Sequence, residues 1–119
     1  MKVLVVEDSK FISKAINIIL ENEGIFVIAT SDGSKVTDLV KKEKVDLVVL
    51  DLMMPHISGE EVYEMLRKDP KTKSTKILIL TARTDAMKWD EKLKHCDRFM
   101  TKPFDNRQLV SEVKKLLGI

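Results

Sequence analysis

A single cysteine, Cys96, stands in the 119-residue chain. A lone thiol closes no internal disulfide, so the core must hold the fold, and a reducing, cytoplasmic setting is expected. No apolar run approaches the length that crosses a bilayer. Met1-Lys2-Val3 enters a strand-like segment directly, without the regions of a signal peptide, so no membrane partner is expected. An excess of one charge is also missing. The 21 Lys and Arg residues face 19 Asp and Glu residues, for a net charge of +2. This interleaved balance gives no electrostatic case for direct nucleic-acid binding. There is no Pro/Gly/Ser linker, internal repeat or low-complexity tract. What is present is 44% hydrophobic and 34% charged, which excludes a disordered tail. The length suits one compact domain over residues 1–119, and the last helical pattern leaves nothing for a second.

Five short, continuous apolar runs punctuate the chain: Val3-Leu4-Val5-Val6, Phe26-Val27-Ile28-Ala29, Leu47-Val48-Val49-Leu50, Ile77-Leu78-Ile79-Leu80 and Arg98-Phe99-Met100-Thr101. Unalternating runs of this kind are strands buried on both faces of a parallel sheet. Helical periodicity fills the gaps. Phe11, Ala15, Ile18 and Ile19 mark a first helix over 9–22, with Gly24 at its stop. Val36, Leu39 and Val40 mark a second. Ser58-Gly59-Glu60-Glu61 reads as a capping box that opens a third, with Val62, Met65 and Leu66 inside. A fourth is expected from about Asp85 to Lys94. Asp105 caps the fifth, whose stripe is Leu109, Val110, Val113, Leu116 and Leu117. Strand and helix alternate throughout. The expected fold is therefore α/β: a doubly wound, five-stranded parallel sheet of flavodoxin-like order 2-1-3-4-5 with five helices.

Four of these strands run into reactive side chains: Glu7-Asp8, Asp51, Thr81 and Lys102-Pro103. In a parallel sheet these groups gather at one edge, where open α/β sheets bind ligands. Three carboxylates held close together repel unless a cation joins them. Oxygen ligands without nearby His or Cys suit a hard ion, and Mg²⁺ is the usual one beside phosphate. A carboxylate between that ion and the Lys102 ammonium is placed to attack phosphorus, with the Thr81 hydroxyl able to donate to an anionic oxygen.

These residues resemble the receiver domain of two-component response regulators. The likeness runs over essentially the whole chain. It rests on Glu7-Asp8, on Asp51-Leu52-Met53-Met54-Pro55 with Gly59, on Thr81-Ala82 and on Lys102-Pro103-Phe104. The resemblance implies a signalling switch rather than an enzyme, one that assists only its own phosphoryl transfer and autodephosphorylation. Asp51 would accept a phosphoryl group from a phosphohistidine on a histidine kinase or phosphotransfer protein. Asp8 and Asp51 would bind Mg²⁺ directly, Glu7 through water, and Met53 through its backbone carbonyl. Thr81 and Lys102 would hold the phosphoryl oxygens, and Lys102-Pro103 would be a cis peptide. Phe99 would be the switch aromatic coupled to Thr81. Output would run through the fourth helix, fifth strand and fifth helix, toward a partner that the sequence does not identify. The first helix would offer a separate docking surface for the phosphodonor, with Ile12 left exposed on it. Met53 and Arg83 would flank the approach of hydrolytic water to Asp51, favouring a long-lived phosphoryl group.

The chain departs from the family pattern in three places. The first acid is Glu7 where Asp is usual. The turn before the last strand reads His95-Cys96-Asp97 in place of a Gly-Ala type, and the stretch from Thr81 to Lys102 is about one residue short. Remaining residues read more plainly. Trp89 is core or half-buried, His56 and His95 lie on the surface, Cys96 is a small buried hydrophobe, and Lys68, Lys71, Lys73 and Lys76 lie in a solvated loop. The alternatives are the excised receiver of a longer regulator with a DNA-binding or enzymatic output domain, and an aspartate-dependent phosphatase of the haloacid-dehalogenase type. The phosphatase pattern Asp-x-Asp is missing, because Asp51 is followed by Leu52-Met53.

Overall fold

The computed structural model of the protein describes residues 1–82 and 96–119. Its strands are β1 (Lys2–Val6), β2 (Phe26–Thr30), β3 (Leu47–Leu50), β4 (Lys76–Thr81) and β5 (Arg98–Thr101), all parallel in one sheet of order β2-β1-β3-β4-β5. The helices among the described residues are α1 (Lys10–Glu21), α2 (Val36–Glu43), α3 (Gly59–Lys68) and α4 (Asn106–Leu117). The last of these is the helix expected as the fifth. The helix expected over 85–94 lies outside the described residues, as do Arg83, Trp89 and His95.

The unbroken apolar strands are explained by two cores, one on each face of the sheet. Leu4, Val6, Val48, Leu50, Ile77 and Ile79 point to one side and pack with Val36 and Val40 of α2 and Val62, Tyr63 and Leu66 of α3. Val3, Val5, Leu47, Val49, Leu78 and Leu80 point to the other and pack with Ile16 and Leu20 of α1 and Leu109, Val113 and Leu117 of α4. Both sets of strand residues are at most 2% exposed. The two edge strands are the exceptions among the described residues: in β2, Phe26 and Ala29 are exposed and Val27 and Ile28 half-buried, and in β5, Arg98 and Thr101 are exposed and Phe99 half-buried.

The face that α1 buries differs from the expected one. Ile16 and Leu20 are buried and Ile12 and Ile19 pack beside them, while Phe11 is 90% and Ile18 52% exposed. The helix carries two adjacent apolar stripes. The stripe with four large branched side chains removes more apolar area from water than one containing Ala15, so it wins the sheet. Ile12 is therefore not the exposed residue. α3 shows a smaller shift of the same kind: Tyr63 is buried and Met65 is 37% exposed.

Helix ends follow local chemistry. Ser58 and Glu61 form the capping box of α3, Ser9 caps α1 and Asp105 caps α4. Below the sheet, Arg67 donates to the carbonyls of Lys73 and Thr75 (2.9 and 2.7 Å) and to Asp97 Oδ2 (3.1 Å). Asp97 also accepts from Ile77 N–H at 2.8 Å, so the turn replacing the small-residue pair fastens β4 to the end of α3. Cys96 is half-buried against the α2–α3 core, and burial pushes its thiol up from the ordinary value. His56 is exposed, as are the four lysines expected in one loop, but only Lys71 and Lys73 lie in the loop: Lys68 ends α3 and Lys76 opens β4.

Candidate functional site

Strand register gathers the reactive groups. Val6 pairs with Leu50, so Glu7 and Asp51 leave neighbouring strands side by side, and Asp51 N–H donates to the Val6 carbonyl at 3.0 Å. Thr81 pairs with Thr101, so Lys102 follows directly, its N–H donating to the Thr81 carbonyl at 2.8 Å. The Lys102-Pro103 peptide is cis. Ligand oxygens of Glu7, Asp8 and Asp51 lie within 4.8 Å of one another. This oxygen-only set fits a hard divalent ion such as Mg²⁺.

Two of the three carboxylates are sunk in the crevice: Glu7 is 5% and Asp51 4% exposed, while Asp8 is open to solvent. Asp51 Oδ1 accepts from Met53 N–H at 3.1 Å, and Oδ2 faces Lys102 Nζ at 3.4 Å. Lys102 Nζ lies closer, at 2.8 Å, to Glu7 Oε2, and Glu7 Oε1 accepts from Ser9 N–H at 3.3 Å. Burial pushes the Glu7 carboxyl above its ordinary 4.5 and the Asp51 charge adds to the rise, while Lys102 opposes both.

Thr81 is fully buried at the end of β4. Phe99 is half-buried, pairs with Ile79 in register and packs toward the α2–α3 core. Met53 leaves its side chain 54% exposed beside the crevice. An open cleft of about 690 Å³ continues from Asp8 between the loops after β2 and β3, past Ser31, Asp32 and His56. That cleft is shaped by Gly33, where a Cβ would stand 2.6 Å from Ile57 Cγ2.

The structure thus assembles Glu7, Asp8, Asp51 and Lys102 in one crevice, with Thr81 buried at the end of the adjoining strand. Sequence reasoning missed two features. One is that Glu7 rather than Asp51 is the nearer partner of Lys102. The other is that Phe11 is the large side chain left on the outer face of α1. The first had a signal in the longer acid at position 7, and the second had none in the periodicity.

A doubly wound parallel sheet carrying an acidic crevice and a facing lysine at its carboxyl edge is the arrangement that the resemblance to receiver domains implies. The family model for the response regulator receiver domain matches residues 3–114, and the chain belongs to that family, the receivers of two-component systems. It is 38% identical over 119 residues to the alkaline phosphatase synthesis transcriptional regulatory protein PhoP of Bacillus subtilis, matching 98% of this chain and 48% of that protein. It is 35% identical to the regulatory protein VanRc of Enterococcus gallinarum, matching 98% of this chain and 49% of that protein. The chain therefore spans about half the length of the curated relatives it matches. Among solved structures, it resembles response regulator TrrA of Thermotoga maritima, in complex with Mg²⁺ and BeF, with a TM-score of 0.87, 34% identity and 97% of both chains covered. Chemotaxis protein CheY4 of Vibrio cholerae gives a TM-score of 0.87 at 28% identity, again covering 97% of both chains. Among the described residues no helix is long and apolar enough to cross a membrane.

Proposed function

We propose that Asp51 accepts a phosphoryl group from the phosphohistidine of a histidine kinase or phosphotransfer protein, and that the chain then presents an altered face to an output partner in the cytoplasm. The observation that carries this reading is the carboxylate group of Glu7, Asp8 and Asp51 facing Lys102, with Nζ 3.4 Å from Asp51 Oδ2. An Asp51 oxygen forms the new bond to phosphorus as the phosphorus–nitrogen bond breaks, and the departing imidazole keeps the electron pair. Asp8 and Asp51, the Met53 carbonyl, and Glu7 through water would hold Mg²⁺, which when bound neutralises charge on the transferring oxygens. The presence of Mg²⁺ in the similar Thermotoga structure supports this assignment. Lys102 and Thr81 would take the phosphoryl oxygens, and Phe99 would follow Thr81 inward. Met53 offers hydrolytic water only a thioether, a weak acceptor, so autodephosphorylation is expected to be slow. Arg83, the other flanking position, lies outside the described residues.

The donor is expected to dock on the outer face of α1, where Phe11, Ala15 and Ile18 lie exposed beside Lys10 and Lys14. A second reading places this receiver in a longer regulator with an output domain. It is favoured by curated relatives of twice the span, among them transcriptional regulators. The length of the source reading frame decides it. Phosphoacceptance itself is tested with acetyl phosphate and Mg²⁺: intact mass should rise by one phosphoryl group in the wild type and not in Asp51→Asn. Equal labelling of both would refute the assignment of Asp51.

A further inference from the structure

β2 ends the sheet with its outer side open. Phe26 N–H donates to the Met1 carbonyl at 3.3 Å, and the Thr30 carbonyl accepts from Glu7 N–H at 3.1 Å. Both bonds run toward β1, the neighbour of β2 in the sheet. Backbone groups alternate sides along a strand, so the N–H and C=O of Val27 and Ala29 point away from the sheet. Proteins commonly guard such an edge with a charge, a proline or a bulge. β5, at the other edge, is four residues long and carries Arg98, which pairs with Glu112 at 2.9 Å. β2 has none of these guards. Phe26-Val27-Ile28-Ala29-Thr30 is uncharged, its register with β1 is unbroken, and Phe26 is 59% exposed.

α1 presents a polar stripe beside this edge. Lys10, Lys14, Asn17 and Glu21 follow one another at helical spacing. The first three line a groove of about 230 Å³ with Ala29, and Glu21 lines one of about 370 Å³ with Phe26 and Val27. Lys10, Lys14 and Glu21 are exposed and form no ion pair among the described residues. Their order opposes the helix. Lysine opens α1 where the helix dipole favours anions, and glutamate closes it where the dipole favours cations. A second α1 running antiparallel alongside would set Glu21 of each copy against Lys14 of the other.

We propose that β2 is a self-pairing edge: two copies of the chain join antiparallel along it, about a two-fold axis at Ile28, into one continuous sheet. The axis stands perpendicular to the sheet, which keeps both α1 helices on one face. The join is isologous, so each surface meets itself. With Ile28 opposite Ile28, Val27 of each copy exchanges backbone hydrogen bonds with Ala29 of the other, and the outward groups of both residues are used. Phe26 comes opposite Thr30 and diagonal to Ile28 of the second copy, which covers ring area that is open in the monomer. The same axis carries the lysine end of one α1 to the glutamate end of the other. These charges are exposed, so their attraction is modest and screened by salt, and the dimer is weak.

Sedimentation velocity at low salt over a rising protein concentration tests the join, with amide exchange followed by ¹H–¹⁵N spectra on the same samples. The wild type should pass from monomer to dimer, and exchange at the Val27 and Ala29 amides should slow as it does. Lys14→Glu and Glu21→Lys should each weaken association on the order of tenfold, because like charges then meet across the axis, and the double variant should recover it. Ala29→Pro removes only an outward donor, so it should keep the fold and stay monomeric. Should that variant unfold, the charge exchange still decides. A wild type that stays monomeric up to millimolar concentration overturns the proposal. So does a dimer whose Val27 and Ala29 amides exchange as fast as in the monomer, or whose double charge variant associates no better than either single one, because another surface is then the interface.

Discussion

Gly59, the first residue of α3, lies so close to Asp51 that a Cβ on it would stand 2.3 Å from the Asp51 carbonyl oxygen and 2.4 Å from Leu52 Cα. Its N–H donates to the Leu52 carbonyl at 3.0 Å, which folds the loop after β3 back onto its own start. The atoms in the way are backbone and cannot swing aside. Gly59→Ala should therefore destabilise the protein by about 3 kcal/mol, read from urea unfolding. It should also displace Asp51 enough to slow labelling by acetyl phosphate. A variant as stable as the wild type would mean that α3 can shift outward at no cost.

Saturating Mg²⁺ should raise the melting temperature. At a hundred times the dissociation constant, mass action supplies about 2.7 kcal/mol, a rise of roughly 10 °C for a domain of this size. Asp8→Ala removes a proposed ligand that is open to solvent and leaves the core untouched, so it should abolish most of that rise at little cost to the metal-free protein. Differential scanning calorimetry with and without Mg²⁺ reads both effects. An unchanged rise in Asp8→Ala would remove Asp8 from the ligand set.

Phe11 is 90% exposed on α1, so shortening it removes no packing. Phe11→Ala should leave stability within about 0.5 kcal/mol and leave labelling by acetyl phosphate unchanged. Phosphotransfer from a histidine-phosphorylated protein donor should slow, because only that donor uses the face. Equal transfer rates from the protein donor in both forms would place the docking surface elsewhere.

Lys41 of α2 pairs with Asp69 at the end of α3, and Lys71 N–H donates to the same carboxylate at 2.9 Å. The Lys41 contact is the larger cause, and it holds the Asp69 carboxyl below its ordinary 3.8. A carboxyl with a depressed folded value contributes stability that is fully present above about pH 3.8 and lost as pH falls through the folded value. Lys41→Met should therefore be less stable than the wild type at pH 7, with the gap closing in strong acid. It should also be less sensitive to salt at pH 7, because the pair is partly exposed. Urea midpoints across pH read this, and a gap that persists at the acid end would show a packing effect in place of the ion pair.

Much of this molecule is written locally in its sequence. Val3–Val6 and Leu47–Leu50 could be read as doubly buried strands because a run without polar alternation has no face to give to water. The reactive groups at strand ends could then be assigned to one edge because parallel strands all end on the same side. Ser58 and Glu61 announced the start of α3 because a cap is a contact between residues three apart. What the sequence could not decide were choices among near-equal local options and contacts between distant segments. α1 offers two apolar stripes, and the helix alone has no means of ranking them. The area each buries against β1, β2 and α4 selects Ile12, Ile16, Ile19 and Leu20, and turns Phe11 outward. Glu7 and Lys102 are 95 residues apart, and only the register of β1, β3, β4 and β5 brings them to 2.8 Å. The sequence determined which chemical groups reach the edge of the sheet; the tertiary structure decided which of them hold one another, because Coulomb and hydrogen-bond energies depend on distances that no single segment contains.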